Sequence, residues 1–312
     1  MKIIFFGSDD FAVVNLKAMI ASASKHQVLA CVTQPDTRKG RHLEVSVSPV
    51  KEFALKSKIP VFQPAALLDE KFVSALKSFE SDIFVVVAYG KILPKEILGL
   101  PKIFCINMHG SLLPKYRGAA PINWAIMNGE KTTGVTAIKL NPKMDAGDII
   151  AQKEINIADD DTSISLRAKM ADLSGELLLD VLDSIEQKEF TLTKQNEAQA
   201  TLAPKLTKEL GVIEWQKGAQ EIYRLVCALL PWPTAYTRYS GKLLKILEAE
   251  ISVADCGKFK PGEVMNITPE GMDVATGQGA LRLLRVHLES SKPMDAKSFV
   301  VGHKIGIGFK FE

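Results

Sequence analysis

The densest polar run in the sequence is Cys105-Ile106-Asn107-Met108-His109-Gly110-Ser111-Leu112-Leu113-Pro114. If 102–109 is a strand, Asn107 and His109 share one face, roughly 7 Å apart along the chain. Open α/β sheets place their ligand crevices at the C-terminal ends of strands, where this pair would stand. Gly110 lets the chain turn there and approach a ligand closely. An amide donor beside an imidazole suits acyl transfer: the amide stabilises an oxyanion and the imidazole moves protons. A carboxylate partner is on offer in Met144-Asp145-Ala146-Gly147-Asp148. Asp145 beside His109 would orient the ring. Each residue also has a plainer reading. His109 can be a hydrogen-bonded core histidine, Asp145 and Asp148 turn residues bonding their own backbone, and Ser111 a turn cap.

A second candidate is Thr37-Arg38-Lys39-Gly40-Arg41-His42. Three cations around a glycine suit phosphate contact, and a solvated charged loop is the alternative. Pro231-Trp232-Pro233 reads as a rigid packing corner more readily than as a base-stacking platform. Other chemistries lack their residues. The five histidines are isolated and no CxxC occurs, so no metal is expected. No GxSxG elbow is present. The first βα turn, Gly7-Ser8-Asp9-Asp10-Phe11-Ala12, has one glycine and not GxGxxG, which disfavours NAD. That turn instead supplies Ser8 or Asp9 as a helix cap.

The elements that must position these residues alternate in the first half. Strands are expected at 2–6, 27–34, 82–88, 102–109, 134–141 and 149–157. Helices are expected at 11–24, 49–58, 69–78, 119–127 and 162–188, the second opened by Ser48 and Pro49. Alternating strands and helices predict an α/β, doubly wound, mostly parallel Rossmann-like sheet. Residues 190–203 are polar and aperiodic and read as a linker. Beyond them one helix, 219–229, and short strands with turn signals predict a smaller OB-like β-barrel. The expected division is 1–189, a linker at 190–206, and 207–312.

Length and composition set the frame. The 312 residues favour two domains, and 46% hydrophobic with 24% charged residues excludes a disordered chain. The apolar runs are too short to span a bilayer and the N-terminus reads as a strand, not a signal peptide. Four scattered cysteines fit free thiols in a cytoplasmic protein. Net charge is +3, and the whole excess falls in 201–312, with 15 Lys and Arg against 12 Asp and Glu. That excess hints at an anionic partner.

Longer motifs carry a resemblance. The chain resembles the 10-formyltetrahydrofolate-dependent formyltransferase family in Val87-Ala88-Tyr89-Gly90-Lys91-Ile92-Leu93-Pro94 and in 106–114 followed by Tyr116-Arg117-Gly118-Ala119-Ala120-Pro121-Ile122. It does so again in Thr133-Gly134-Val135-Thr136 and Met144-Asp145-Ala146-Gly147-Asp148. Further stretches are similar to the branch acting on methionyl-tRNA: Thr33-Gln34-Pro35-Asp36 before the basic segment, then Ser48-Pro49-Val50-Lys51. Ala203-Pro204-Lys205-Leu206-Thr207-Lys208-Glu209, Ile213-Glu214-Trp215, Pro231-Trp232-Pro233 and Pro261-Gly262-Glu263 follow. Asp9, Leu202 and Leu230 depart from the family's usual Pro, Tyr and Asn.

The resemblance implies transfer of a formyl group from 10-formyltetrahydrofolate, a consumed co-substrate, to the α-amino group of methionine on initiator tRNA. Asn107, His109 and Asp145 would be catalytic. Ala88, Tyr89, Gly90, Lys91, Ile92, Leu93, Ser111, Leu112, Leu113 and Pro114 would hold the folate. Arg38, Lys39 and Arg41 would touch the tRNA. No metal and no membrane are implied, and the chain is expected to be a cytoplasmic monomer. Two other classes stay open on the residues alone: a formyltransferase acting on a small amine, and a non-enzymatic RNA-binding relative.

Overall fold

The structure is a computed structural model that describes all residues except 23–24 and 40–43. The chain divides into two compact units. One comprises Met1–Pro121, Thr132–Asn156 and Arg167–Pro204; the other comprises Ile122–Lys131, Ile157–Leu166 and Lys205–Glu312.

In chain order the first elements are β1 (Lys2–Gly7), α1 (Asp10–Ala21), β2 (Gln27–Val32), β3 (Thr37–Lys39), β4 (Glu44–Ser46), α2 (Pro49–Lys56), β5 (Val61–Phe62), α3 (Glu70–Ser78), β6 (Ile83–Val87), α4 (Lys95–Leu98) and β7 (Phe104–His109). Then come β8 (Arg117–Gly118), α5 (Pro121–Met127), β9 (Thr132–Lys139), β10 (Ile149–Asn156), α6 (Ser163–Gln187) and β11 (Leu202–Ala203). Seven strands form one sheet in the order β10-β9-β7-β6-β1-β2-β5. From β5 to β7 every neighbour is parallel; β9 and β10 run antiparallel at the edge. The mostly parallel α/β sheet expected from the sequence is what the chain builds.

Local chemistry explains the elements. β6 is buried from end to end, which is why its sequence is an unbroken Ile-Phe-Val-Val-Val run without polar alternation. Asp9, Ser48 and Asp69 cap α1, α2 and α3 by accepting from the N–H groups of Ala12, Lys51 and Phe72. Pro49 opens α2, where its missing N–H costs nothing. Burial pushes the thiols of Cys31 and Cys105, both within this core, up to about 12.

Two segments differ from their expectation. The basic stretch opens on a strand: β3 pairs with β4 through Thr37–Ser46, Arg38–Val45 and Lys39–Glu44. Arg41 lies outside the described residues. The polar stretch 190–203 is laid against the first unit. Thr193 and Ile149 exchange backbone hydrogen bonds of 2.8 and 2.9 Å, and β11 adds in parallel to β8. Polar, aperiodic residues suit such a path because their partners are backbone and charged groups, not an apolar face.

The second unit carries α7 (Ala219–Ala228), β12 (Ala235–Tyr239), β13 (Lys242–Ser252), β14 (Val264–Ile267), β15 (Met272–Ala275), β16 (Ala280–Leu288), β17 (Met294–Asp295) and α8 (Ala296–His303). Its strands form a separate antiparallel sheet, β12-β13-β16-β15-β14, with β17 beside β16. Trp215, Leu244, Ile246, Val274, Leu283 and Phe299 share its core. Among the described residues no helix is long and apolar enough to cross a membrane.

Candidate active site

β7 and β6 are parallel neighbours, with Val87 opposite Met108, so their C-terminal ends open onto the same edge. Asn107 and His109 close β7, and the loop 88–93 follows β6. The folded chain thus brings together two segments that lie about twenty residues apart in sequence.

His109 is buried, 6% exposed, and both ring nitrogens face protein atoms. Nε2 lies 2.9 Å from the carbonyl oxygen of Tyr116. Nδ1 lies 3.6 Å from Oδ1 of Asp145. A carbonyl only accepts, so Nε2 carries the proton in the first contact. Nδ1 then looks at a carboxylate, which orients the ring. The other oxygen of Asp145 accepts from the Gly118 N–H at 2.9 Å, which fixes the carboxylate. Asp145 (φ 49°) and Tyr116 (φ 62°) both sit in the left-handed region, uncommon for residues with a Cβ. The amide of Asn107 is half-buried and makes no intramolecular hydrogen bond among the described residues. It is a donor left for a ligand.

The turn after His109 is held by β9. Thr136 stands opposite His109 in the sheet register. Its hydroxyl donates to the Ser111 carbonyl at 2.6 Å and accepts from the Leu113 N–H at 3.0 Å. Gln152 on β10 adds bonds to the Thr136 hydroxyl and the Leu113 carbonyl. Ser111 is fully buried and its Oγ donates to the Lys115 carbonyl at 2.6 Å, the turn-capping role expected of it. Leu112 and Pro114 are half-buried and Leu113 is buried.

The loop after β6 is tied down from the other side. The Tyr89 carbonyl accepts from Gln34 Nε2 at 2.9 Å and from the Ser8 hydroxyl at 3.3 Å. Ala88 (φ 45°) and Gly90 (φ 77°) make the turn. A Cβ on Gly90 would come within 3.3 Å of Gln34 Nε2 as well as meeting that backbone strain. Tyr89 is buried with an unpartnered hydroxyl, and burial pushes its phenol up to about 12. It is a core residue here: its ring meets Phe6 edge-on at 5.4 Å. Leu93 is buried, Lys91 half-buried and Ile92 exposed, so the backbone is this loop's main recognition surface.

Four residues of this site carried no signal of their own in the sequence. Tyr116 and Gly118 act through backbone atoms, and Gln195 and Thr201 lie in the stretch read as linker. Beyond the motif that holds Tyr116 and Gly118, one hint was Arg117, a basic residue that must have partners if buried. It is 8% exposed and makes a two-bond pair with Glu197 at 2.9 Å each. Hydrogen bonding to that guanidinium holds the Glu197 carboxyl below its ordinary range. Elsewhere in this unit His26, Asp183 and Glu186 gather their ligand atoms within 4.8 Å, but Lys25 and the Met1 amine already pair with the two carboxylates.

An imidazole with a fixed carboxylate and a free amide donor, beside a backbone-lined loop, is an acyl-transfer arrangement. The chain belongs to the formyl transferase family, whose model matches residues 1–182, with the formyl transferase C-terminal domain matching 205–304. Among its relatives are the methionyl-tRNA formyltransferases of Caldanaerobacter subterraneus subsp. tengcongensis and Acetivibrio thermocellus. They are 44% and 42% identical to it over 99% of this chain, and 99% and 98% of their own lengths are covered. The fold is also that of HypX from Aquifex aeolicus in complex with tetrahydrofolic acid (TM-score 0.67, 20% identity, 97% of this chain and 47% of that one). It is shared by WlaRD, a sugar 3N-formyl transferase (TM-score 0.67, 17% identity, 94% and 99%).

Proposed function

We propose that the chain transfers the formyl group of 10-formyltetrahydrofolate to the α-amino group of methionine on initiator methionyl-tRNA. The observation that carries the chemistry is the triad at the end of β7: His109 with Nδ1 3.6 Å from Asp145, beside the free Asn107 amide. As the amine attacks the formyl carbon, negative charge builds on the formyl oxygen. Asn107 donates to it through its amide. His109, its ring nitrogens held by the Tyr116 carbonyl and the Asp145 carboxylate, adds the positive charge of its ring without a hydrogen bond of its own. Asp145 holds His109 and supports the proton's passage from the amine to the departing folate nitrogen. Folate lies along Ala88, Tyr89, Gly90, Lys91, Ile92 and Leu93 and along Ser111, Leu112, Leu113 and Pro114. The two loops' fixed backbone groups suit a pterin with donors and acceptors on its edge.

The acceptor follows from the full-length likeness to methionyl-tRNA formyltransferases, which spans both units. Arg38, Lys39 and Arg41 contact the acceptor stem, and residues 207–312 take the tRNA backbone through scattered Lys and Arg. The enzyme works in the cytoplasm as a monomer in this reading.

The deciding experiment is formyl transfer from labelled 10-formyltetrahydrofolate, comparing methionyl initiator tRNA with methionyl elongator tRNA. Strong preference for the initiator supports the reading. Folded protein that binds folate yet formylates neither tRNA overturns the acceptor. Asn107→Ala should lower kcat by about a hundred- to a thousandfold. Because that amide has no partner among the described residues, the melting temperature should stay close to wild type.

A further inference from the structure

The half-buried Gln195 spends its whole amide inside the first unit. Its Nε2 donates to the carbonyls of Asp145 at 2.8 Å and Gly147 at 2.7 Å. Its Oε1 accepts from Arg117 Nε at 3.0 Å and Nη2 at 2.7 Å. Six residues on, Thr201 does the same for the other neighbour of the histidine. The Thr201 hydroxyl accepts from the Tyr116 N–H at 2.9 Å, and its carbonyl accepts from the Arg117 N–H at 2.9 Å. Tyr116 and Asp145 are the two residues that His109 faces. One short stretch of chain therefore grips both.

The residues of this stretch are polar and mostly exposed, so burial of apolar surface does not explain its course. The buried Arg117 guanidinium does. A buried cation is costly unless its donors are met, and Gln195 and Glu197 meet them. Asp145 and Tyr116 hold left-handed backbones, strained for residues with a Cβ unless surroundings fix them. Gln195 fixes the first through its carbonyl and Thr201 the second through its N–H.

Resting on the catalytic reading of His109 and Asp145, we propose that Gln195 and Thr201 are positioning residues for formyl transfer. They act as a clasp that sets the aim of the histidine from both sides. Neither touches substrate. The geometry requires two donors at position 195 toward the loop carbonyls and a hydroxyl at 201. A carboxylate at 195 would satisfy Arg117 and repel the carbonyls, so Gln195→Glu fails although it is nearly isosteric.

The test is the formyl-transfer assay on the full chain with Gln195→Met, Gln195→Glu, Thr201→Val and Thr201→Ser. Gln195→Met, Gln195→Glu and Thr201→Val should lose about ten- to a hundredfold in kcat, with both KM values nearly unchanged. Thr201→Ser should work as wild type. In an Asp145→Ala background Gln195→Met should cost nothing further, because the carboxylate it positions through the backbone is gone. Wild-type kcat in Gln195→Met, or its full loss again in that background, overturns the inference. If the Gln195 variants do not fold, equal kcat for Thr201→Val and Thr201→Ser overturns it. His109→Ala and Asp145→Ala run alongside: wild-type turnover in those would mean that the catalytic reading itself has failed.

Discussion

Nδ1 of His109 faces the Asp145 carboxylate at 3.6 Å, while Nε2 is committed to the Tyr116 carbonyl. The negative charge matters, and not only the oxygen. Asp145→Asn would still accept from the Gly118 N–H, so the loop should keep its place. It would face Nδ1 with a neutral group, and kcat should fall by about a hundredfold or more. Steady-state kinetics beside a thermal melt would check this, with stability near wild type as the expected companion. The three side chains proposed to do the chemistry were legible in the sequence because an amide, an imidazole and a carboxylate advertise what they can do. Tyr116 and Gly118 were not, since a carbonyl and an N–H are present in nearly every residue. Only the fold says which carbonyl meets the histidine and which N–H meets the carboxylate beside it.

At the scale of elements, the turn that carries Asp145 is confined by β9. Any Cβ added at Gly147 would run into the Lys139 carbonyl, a backbone atom with little room to yield. The Asp148 carbonyl also accepts from the Lys139 N–H at 2.9 Å, so the turn cannot swing away without losing a bond. Gly147→Ala should therefore destabilise by about 1–3 kcal/mol and lower kcat by more than Asp148→Ala does. Urea titration and the transfer assay would read the two effects separately. Long or strongly patterned elements were plain from the sequence: β6 by its unbroken apolar run, α2 by Ser48 and Pro49, α6 by its length. Those that were not are short. β3 and β4 have three residues each and β8 and β11 two. A strand of two or three residues shows no period, and those in 37–46 were masked by charge. Register with a partner, not local preference, makes them strands.

For the molecule as a whole, net charge is small but placed. The 201–312 stretch holds the excess, and three more cations cluster at 38, 39 and 41. If these residues meet phosphates, kcat/KM for the tRNA should fall steeply with salt while kcat holds. Arg41→Ala should reduce the log–log slope by about one. A slope unchanged by that substitution would remove Arg41 from the tRNA contact.

The clasp on the histidine also has a meaning in time. A chain emerging from the ribosome has made its entire seven-stranded sheet by Asn156, and the Asn107, His109 and Asp145 side chains with it. Gln195 and Thr201 come after a further helix of 25 residues. Until they are synthesised, a nascent chain would hold the three proposed catalytic side chains without the clasp on either side of His109. On the proposed roles of Gln195 and Thr201, competence would come late in the order of synthesis.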